Sequence, residues 1–495
     1  MNIEIFNSHA LLDTDDDELF GKLRAYFSIT DKLFNPRAGH YDSTECFILP
    51  DGTIPLGLLP DAIEYLQELE IEYDIADYRR NIAVFDKAKL TNPVKSFGSM
   101  REHQAEALLA YAERLTTTDF KESAIFDHAT NSGKSYIIAA LLDALEEGYA
   151  FILVHDATLY TQLIDFLKKA GFTVGSIRGK QIIPGQVIVC MYQSVINRHH
   201  EFEPTLVWLV NEATLLIVDE CHRAGGNEYY LLINSLGVAT RIGFSGTPFS
   251  SKHNAAKIRV MSSFGDIVHK VSTQRLNEAG INATLHVNLL YHSAPIITGS
   301  KTDMEYAEVY AANIIESPAR LKLIMEAVGK HTEGNIMITV NQLVHTMKIG
   351  EAVMQAYPEA EVIMLNGGQP EYMIRELLAK FSTKPEGRRV LITNIWQEGA
   401  NIAMDVLIYA QAGSSEIELV QYLGRMGRLT SANKYVYDFY DDGKYCEKQS
   451  KERIAIYQRY GYKITAQYAT KIGSLEPSLA TIYKNDKLSL DIPKI

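Results

Sequence analysis

The run Ala124-Ile-Phe-Asp-His-Ala-Thr-Asn-Ser-Gly-Lys-Ser135 holds residue types that can grip a polyphosphate. An apolar stretch leads into Thr130, Asn131, Ser132, Gly133, Lys134 and Ser135, and Ile137, Ile138, Leu141, Leu142 and Leu145 follow at helical spacing. Backbone N–H groups of such a loop, with the positive end of the helix behind it, stabilise phosphate charge. The Lys134 ammonium can reach the β and γ phosphates of a nucleoside triphosphate, and the Ser135 hydroxyl can ligate Mg²⁺. His128 stands where such loops open with glycine, and Asn131 where many carry glycine; asparagine tolerates left-handed backbone, so the second departure costs little. A Gly-Lys-Ser at a helix start also arises by chance, and the apolar strand ahead of it is what gives the tripeptide weight.

A second constellation lies 85 residues beyond Lys134, where Thr214-Leu-Leu-Ile-Val-Asp219-Glu220-Cys221-His222 ends an aliphatic strand on two carboxylates. Ligands of open parallel sheets bind at that strand end. Asp219 can hold Mg²⁺ directly or through water, and Glu220 can orient and deprotonate an attacking water. An isolated Asp-Glu there is usually a solvated strand end. Behind a phosphate loop in the same domain, it reads as the hydrolytic half of an ATP site.

The elements that must position these residues follow from the hydrophobic pattern. Short aliphatic strands alternate with helical stretches: Ala124–Phe126, Phe151–Val154, Val187–Cys190, Leu215–Val218 and Ile242–Phe244, then Ile336–Val340, Glu361–Leu365, Val390–Thr393, Val406–Ala410 and Tyr435–Phe439. That alternation marks parallel α/β sheets. The expected fold class is α/β, with two tandem parallel-sheet lobes at 91–285 and 286–445. A small α+β accessory domain occupies 1–90 and a mixed tail 446–495. In the first region the pattern predicts an early strand, a helix through Leu19–Phe27, a hairpin in which Cys46–Leu49 and Ile54–Leu58 flank Asp51-Gly52, and a helix carrying Ile63, Leu66 and Leu69.

Composition bounds the rest. The 495 residues carry a net charge of −13 with 46% hydrophobic residues, an ordinary globular balance and too long a chain for a single binding module. No apolar run approaches the roughly 20 residues that span a bilayer, and the N-terminus lacks a signal-type segment. An intracellular protein without a membrane partner is expected. Cys46, Cys190, Cys221 and Cys446 are widely spaced, which argues against a disulfide framework or a structural zinc site. Taken over the whole chain, the acidity opposes a nucleic-acid partner. It is concentrated, however: residues 1–90 hold 18 acidic against 8 basic side chains, which leaves a net of −3 for the remainder.

The phosphate loop, Asp219-Glu-Cys-His222 and Ser245-Gly-Thr247 in this order resemble the superfamily-2 helicases, which implies that the two parallel-sheet lobes are RecA-like. Further segments extend the resemblance. Arg101-Glu-His-Gln104 resembles the Arg-x-x-Gln segment whose glutamine reads adenine, and Gln421-Tyr-Leu-Gly-Arg425-Met-Gly-Arg428 resembles Gln-x-x-Gly-Arg-x-x-Arg. The two arginines, at i and i+3, share one helix face, and the family implies that they act as fingers on the γ phosphate across the cleft between lobes. Thr393-Asn-Ile-Trp-Gln-Glu-Gly399 resembles the adjoining motif, which implies that Thr393 meets the nucleic-acid backbone and Gly399 approaches the nucleotide. The resemblance also implies a nucleic-acid track formed by Thr158, Gln162, Gln193, Ser194, Gly367 and Thr393. His155 and Asp156 depart from its Pro-Thr, so either Thr158 substitutes there or Asp156 turns away. His222, Ser245 and Thr247 are implied to couple ATP hydrolysis to movement.

The order of parts, with Phe34-Asn-Pro-Arg37, Tyr41-Asp42 and Pro55-Leu-Gly-Leu-Leu59 in the first region, resembles the UvsW-type recombination helicases of T-even phages. Many relatives carry an aromatic-Asp-Gly where Tyr41-Asp42-Ser43 stands. The resemblance implies an ATP- and Mg²⁺-dependent DNA helicase that branch-migrates crossovers, regresses forks and removes RNA from R-loops, in the host cytoplasm if phage-encoded. Its partners would be branched, forked or duplex DNA and RNA–DNA hybrids, engaged by a monomer. Two other classes share these motifs: a duplex translocase serving as a motor subunit without strand separation, and a nucleotide-dependent binding switch. Residues 1–90 either contact DNA, should Lys22, Arg24, Lys32, Arg37, Arg79 and Arg80 converge on one face, or only cap the first lobe.

Overall fold

The computed structural model describes residues 1–35, 39–92, 100–117, 120–201, 203–249, 253–292, 305–395, 402–427, 433–443 and 445–468. It divides into two compact units, Met1–Ser272 and Thr273–Ile495.

The first unit opens with six strands: β1 (Asn2–Ile5), β2 (His9–Asp13), β3 (Ser28–Asn35), β4 (Gly39–Cys46), β5 (Thr53–Pro55) and β6 (Asp74–Asp77). The order β5-β2-β1-β6 makes a small sheet, closed by helices Asp17–Tyr26 and Leu59–Glu68 around a core of Ile3, Ile5, Leu12, Leu23, Ile54 and Leu66. The predicted hairpin around Asp51-Gly52 is a tight turn instead, in which Gly52 N–H donates to the Leu49 carbonyl. The strand after that turn, β5, pairs with β2. The actual hairpin is β3–β4, antiparallel from Ser28↔Cys46 to Asn35↔Gly39. Its residues Ser-Ile-Thr-Asp-Lys and Asp-Ser-Thr-Glu-Cys are too polar to signal a buried strand, and a two-stranded ribbon needs no buried face.

The nucleotide-type sheet follows with β7 (Ala124–His128), β8 (Tyr149–Val154), β9 (Val174–Arg178), β10 (Gln181–Ile183), β11 (Val187–Met191), β12 (Ala213–Asp219), β13 (Thr240–Ser245) and β14 (Ile267–Val271). Their order is β10-β9-β11-β8-β12-β13-β7-β14, parallel throughout except for β9–β10. Strands covered on both faces read as continuous apolar runs. In β7, Ala124 and Phe126 pack into one core while Ile125 packs into the other.

The second unit repeats the plan with β15 (Thr284–His292), β16 (Gly334–Thr339), β17 (Glu361–Leu365), β18 (Arg388–Thr393), β19 (Val406–Tyr409), β20 (Asn433–Asp441) and β21 (Ile464–Tyr468), in the order β17-β18-β16-β19-β20-β15-β21, all parallel. The stretch read as a tail thus begins with helix Cys446–Arg459 and an edge strand of this sheet. Two buried ion pairs hold that helix and the one at Pro318–Gly329 to β20. Arg453 Nε lies 2.9 Å from Asp438 Oδ2, and Arg320 Nε lies 2.8 Å from Asp441 Oδ1. Tyr457 also donates to Asp438, at 3.0 Å.

Candidate functional site

Sheet order brings distant motifs together. Strand β13 lies between β7 and β12, so the phosphate loop leaving β7, Ser245 ending β13 and Asp219 ending β12 emerge side by side at one carboxyl edge. This is where the strand order switches and where such sheets bind ligands.

The loop itself turns through two left-handed residues, Asn131 at φ 70° and Gly133 at φ 81°. Gly133 starts helix Lys134–Ala144, and no side chain caps it. The first N–H groups are therefore left for an outside acceptor. Ser132 Oγ is buried without a protein partner in the same loop. An anion such as a phosphate fits these donors. Behind the loop, Gln104 Nε2 donates to the Ser132 carbonyl at 2.8 Å, Gln104 Oε1 accepts from Arg101 N–H, and Arg101 Nη1 donates to the Asn131 carbonyl at 3.2 Å. Both ends of the Gln104 amide are thus engaged in bracing the loop, a task that its resemblance to an adenine reader did not reveal. Gly133 is needed for that brace, since a Cβ there would lie 2.2 Å from Gln104 Nε2.

Across the edge, Lys134 Nζ lies 3.8 Å from Glu220 Oε1. Glu220 occupies left-handed backbone, φ 55°, a conformation that costs a non-glycine residue about 1–3 kcal/mol and concentrates at functional sites. Its N–H donates to Asp219 Oδ1 at 3.0 Å. His222 Nδ1 is 3.3 Å from Glu220 Oε2 and 3.0 Å from Ser245 Oγ, which in turn accepts from Thr247 N–H at 3.1 Å. Gly246 lets this turn lie against His128 and Ala129, within 3.3 Å of where its Cβ would be. One polar chain therefore joins Lys134, Glu220, His222, Ser245 and Thr247. Burial penalises all three charges. At Lys134, Glu220 and then Asp219 outweigh burial and raise the pKa, so the ammonium persists. Burial raises Asp219, whereas Lys134 and then His222 overcome it and lower Glu220. Asp219 and Ser135, both at this edge, could hold a divalent cation. Lys134 could hold phosphate.

Sequence reasoning missed what supports β7 from the other side. His128 Nε2 lies 2.9 Å from His269 Nδ1 on β14, and Asp127 pairs with Lys270 at 2.8 Å. No motif marks β14; only its pairing with β7 brings these residues in.

The expected nucleic-acid residues are less uniform. Asp156 Oδ1 accepts from Leu159 N–H at 3.1 Å, so its carboxylate turns to the start of its own helix. The Thr158 side chain lies outside the described residues. Gln162 and Gln193 are exposed. Ser194 Oγ accepts from Gly179 N–H at 2.8 Å. Gly367 is exposed in a turn that Asn366 closes on Gly368 N–H. Thr393 is buried at 2% exposure, and its hydroxyl both donates to the Ile395 carbonyl and accepts from Ile395 N–H, so it shapes the turn after β18. In the second unit Gln421 and Arg425 lie four apart on helix Glu416–Met426, with Arg425 mostly buried; Arg428 and Gly399 lie outside the described residues. Of the cations in the first region, Arg79 is paired with Asp77 and Glu122, Lys22 with Glu18, and Arg24 with the Ile48 carbonyl. Arg37 is outside the described residues.

A phosphate loop and an Asp-Glu pair on one parallel edge, followed by a second unit of the same sheet architecture, define a RecA-like nucleotide-dependent motor of two lobes. Residues 97–250 match the family model of the type III restriction enzyme res subunit, and residues 319–430 match that of the helicase conserved C-terminal domain. The chain belongs to the superfamily-2 helicases, ATP-dependent enzymes that bind nucleic acid. It is 23% identical over 425 residues to candidate helicase 22 of Sulfolobus islandicus filamentous virus, covering 79% of this chain and 74% of that one. It is similar in fold to the ATP-dependent Type ISP restriction-modification enzyme LlaBIII bound to DNA, with a TM-score of 0.56 and 14% identity over 85% of this chain and 35% of that one. The structure of T4 UvsW aligns with a TM-score of 0.42 and 19% identity over 95% of this chain and 99% of that one. Among the described residues no helix is long and apolar enough to cross a membrane.

Proposed function

We propose that this helicase remodels branched DNA, using ATP hydrolysis to drive branch migration, fork regression and removal of RNA from R-loops in recombination, repair and replication. The observation that carries the motor half of this reading is the polar chain from Lys134 through Glu220, His222 and Ser245 to Thr247. It supplies a route by which nucleotide state can reach the turn after β13. The branched substrate is supported by the likeness of the first region's motifs to the UvsW type.

In this reading Gly133, Lys134 and Ser135 hold the triphosphate, with Thr130, Asn131 and Ser132 lining the loop. Arg101 and Gln104 set its shape beside the base. Ser135 and Asp219 would hold Mg²⁺, which when bound would neutralise phosphate charge. Glu220, kept ionised by Lys134 and His222, accepts the proton of the attacking water. The family resemblance assigns Gln421, Arg425 and Arg428 to the transferred phosphoryl group as amide and guanidinium donors, and Gly399 to the nucleotide. Thr158, Gln162, Gln193, Ser194, Gly367 and Thr393 form or shape the strand's track, which relies on amides and hydroxyls more than on cations. The protein works as an intracellular monomer.

The test is strand exchange on synthetic forks, four-way junctions and R-loops with ATP. Conversion of these substrates, lost with a non-hydrolysable nucleotide, is the expected result. ATP turnover stimulated by plain duplex without any strand separation would replace this reading with that of a duplex translocase.

A further inference from the structure

Helix Asn254–Phe264 has two attachments that together join the first region to the hydrolytic turn. On one side it packs on the 3₁₀ turn Cys221–Gly225, which begins directly after Glu220. Arg259 Nη1 donates to the Gly225 carbonyl at 3.0 Å, and a Cβ at Gly225 would sit 3.2 Å from the Ala256 Cβ. On the other side the β3–β4 hairpin grips the same helix. Asp31, on β3, is nearly buried, and its two oxygens accept from Asn254 N–H at 2.9 Å and Ala255 N–H at 2.8 Å. Glu45, on β4, accepts from Nε and Nη2 of Arg259 through both carboxylate oxygens, with Nε at 2.9 Å. The helix N-terminus thus receives its cap from a residue 223 positions earlier, in place of one of its own flanking side chains.

The same helix begins seven residues after Thr247, the end of the polar chain that reaches Lys134. Through Arg259, at mid-helix, it bears on the turn that begins directly after Glu220. An Arg fork shared between a carboxylate and a backbone carbonyl fixes orientation more tightly than a point charge can.

We propose that Asp31, Glu45 and Arg259 are positioning residues for ATP hydrolysis, and that through them the β3–β4 hairpin sets the geometry of Glu220. Two acidic side chains of the first region thereby serve the motor. The inference rests on the ATPase activity of the family and does not depend on branched DNA being the substrate.

Glu45→Gln and Asp31→Asn in the full chain, with Glu18→Gln as an exposed control, test it through kcat and KM for ATP and the thermal midpoint. Both variants are expected to lower kcat about fivefold or more with KM for ATP within about twofold, the pattern of a lost transition-state arrangement. The control should match the wild type. Wild-type kcat in both at an unchanged midpoint overturns the proposal and leaves the hairpin as a cap. Should Asp31→Asn fail to fold, Arg259→Lys, which keeps the charge and loses the fork, is read in its place, and wild-type kcat there is equally fatal. A wild type whose turnover ignores every nucleic acid would sink the remodelling reading alone, because basal turnover carries the same comparison of kcat.

Discussion

At the scale of residues, the ATP site is a set of charges that tolerate burial only because they face one another. Lys134 sits between Glu220 and Asp219, and Glu220 between Lys134 and His222. Lys134→Ala removes the one ammonium of the polar run that joins Lys134, Glu220, His222, Ser245 and Thr247, and with it the cation that faces both Asp219 and Glu220. ATP turnover should fall by about 100-fold or more, measured by phosphate release at saturating ATP. Glu220→Gln keeps the shape and loses the base. Hydrolysis should fall by about 10²–10⁴-fold while a fluorescent nucleotide still binds within a few-fold of wild type. The residue types at these positions were readable because phosphate and water chemistry need them at strand ends. His128–His269 and the engagement of Gln104 were not, since both depend on which strand or loop lies alongside, information that local spacing does not hold.

At the scale of elements, the parallel strands were legible and the polar ones were not. Each aliphatic run marks a strand, with Val340 and Ala410 one residue past a strand's end, because a strand covered on both faces must be apolar at successive positions. The β3–β4 ribbon escaped because half of it faces solvent, and β21 because its short apolar content does not stand out. The helix Cys446–Arg459 is tied to β20 by Arg453, which spends its donors on Asp438, Phe439 and Gly413. Removing one partner of such a pair costs more than the pair contributes, because the other charge stays buried. Asp438→Asn should therefore lower stability by about 3–5 kcal/mol, seen as a fall in the denaturant midpoint. Gly57 has a comparable role in the first region: a Cβ there would lie 2.2 Å from the Met261 carbonyl oxygen. Backbone on both sides cannot yield as a side chain would, so Gly57→Ala should cost about 1–3 kcal/mol and lower the thermal midpoint.

At the scale of the molecule, the charge of −13 changes meaning once the contacts are known. The acidity of residues 1–90 suggests a surface that repels DNA, yet Asp31, Glu45 and Asp77 are spent inside the first unit, on Asn254, Arg259 and Arg79. The fully buried Arg241 adds a further tie, donating to the Asn7 carbonyl at 3.1 Å. Deleting residues 1–90 would uncover Arg241 and the helix at Asn254, so the shortened chain should melt well below the full one in a thermal scan, by about 4 °C or more. Family membership was legible from the motifs, whereas the use of the acidic region was not, because composition cannot say which charges find partners. Membership of the superfamily-2 helicases makes the dependence of ATP turnover on nucleic acid the property to measure. It is tested most directly by steady-state ATP turnover of the full chain, alone and with forked DNA, single strands, duplex and RNA. Turnover should rise about tenfold or more, most with the forked DNA. An equal rate in every condition would contradict it.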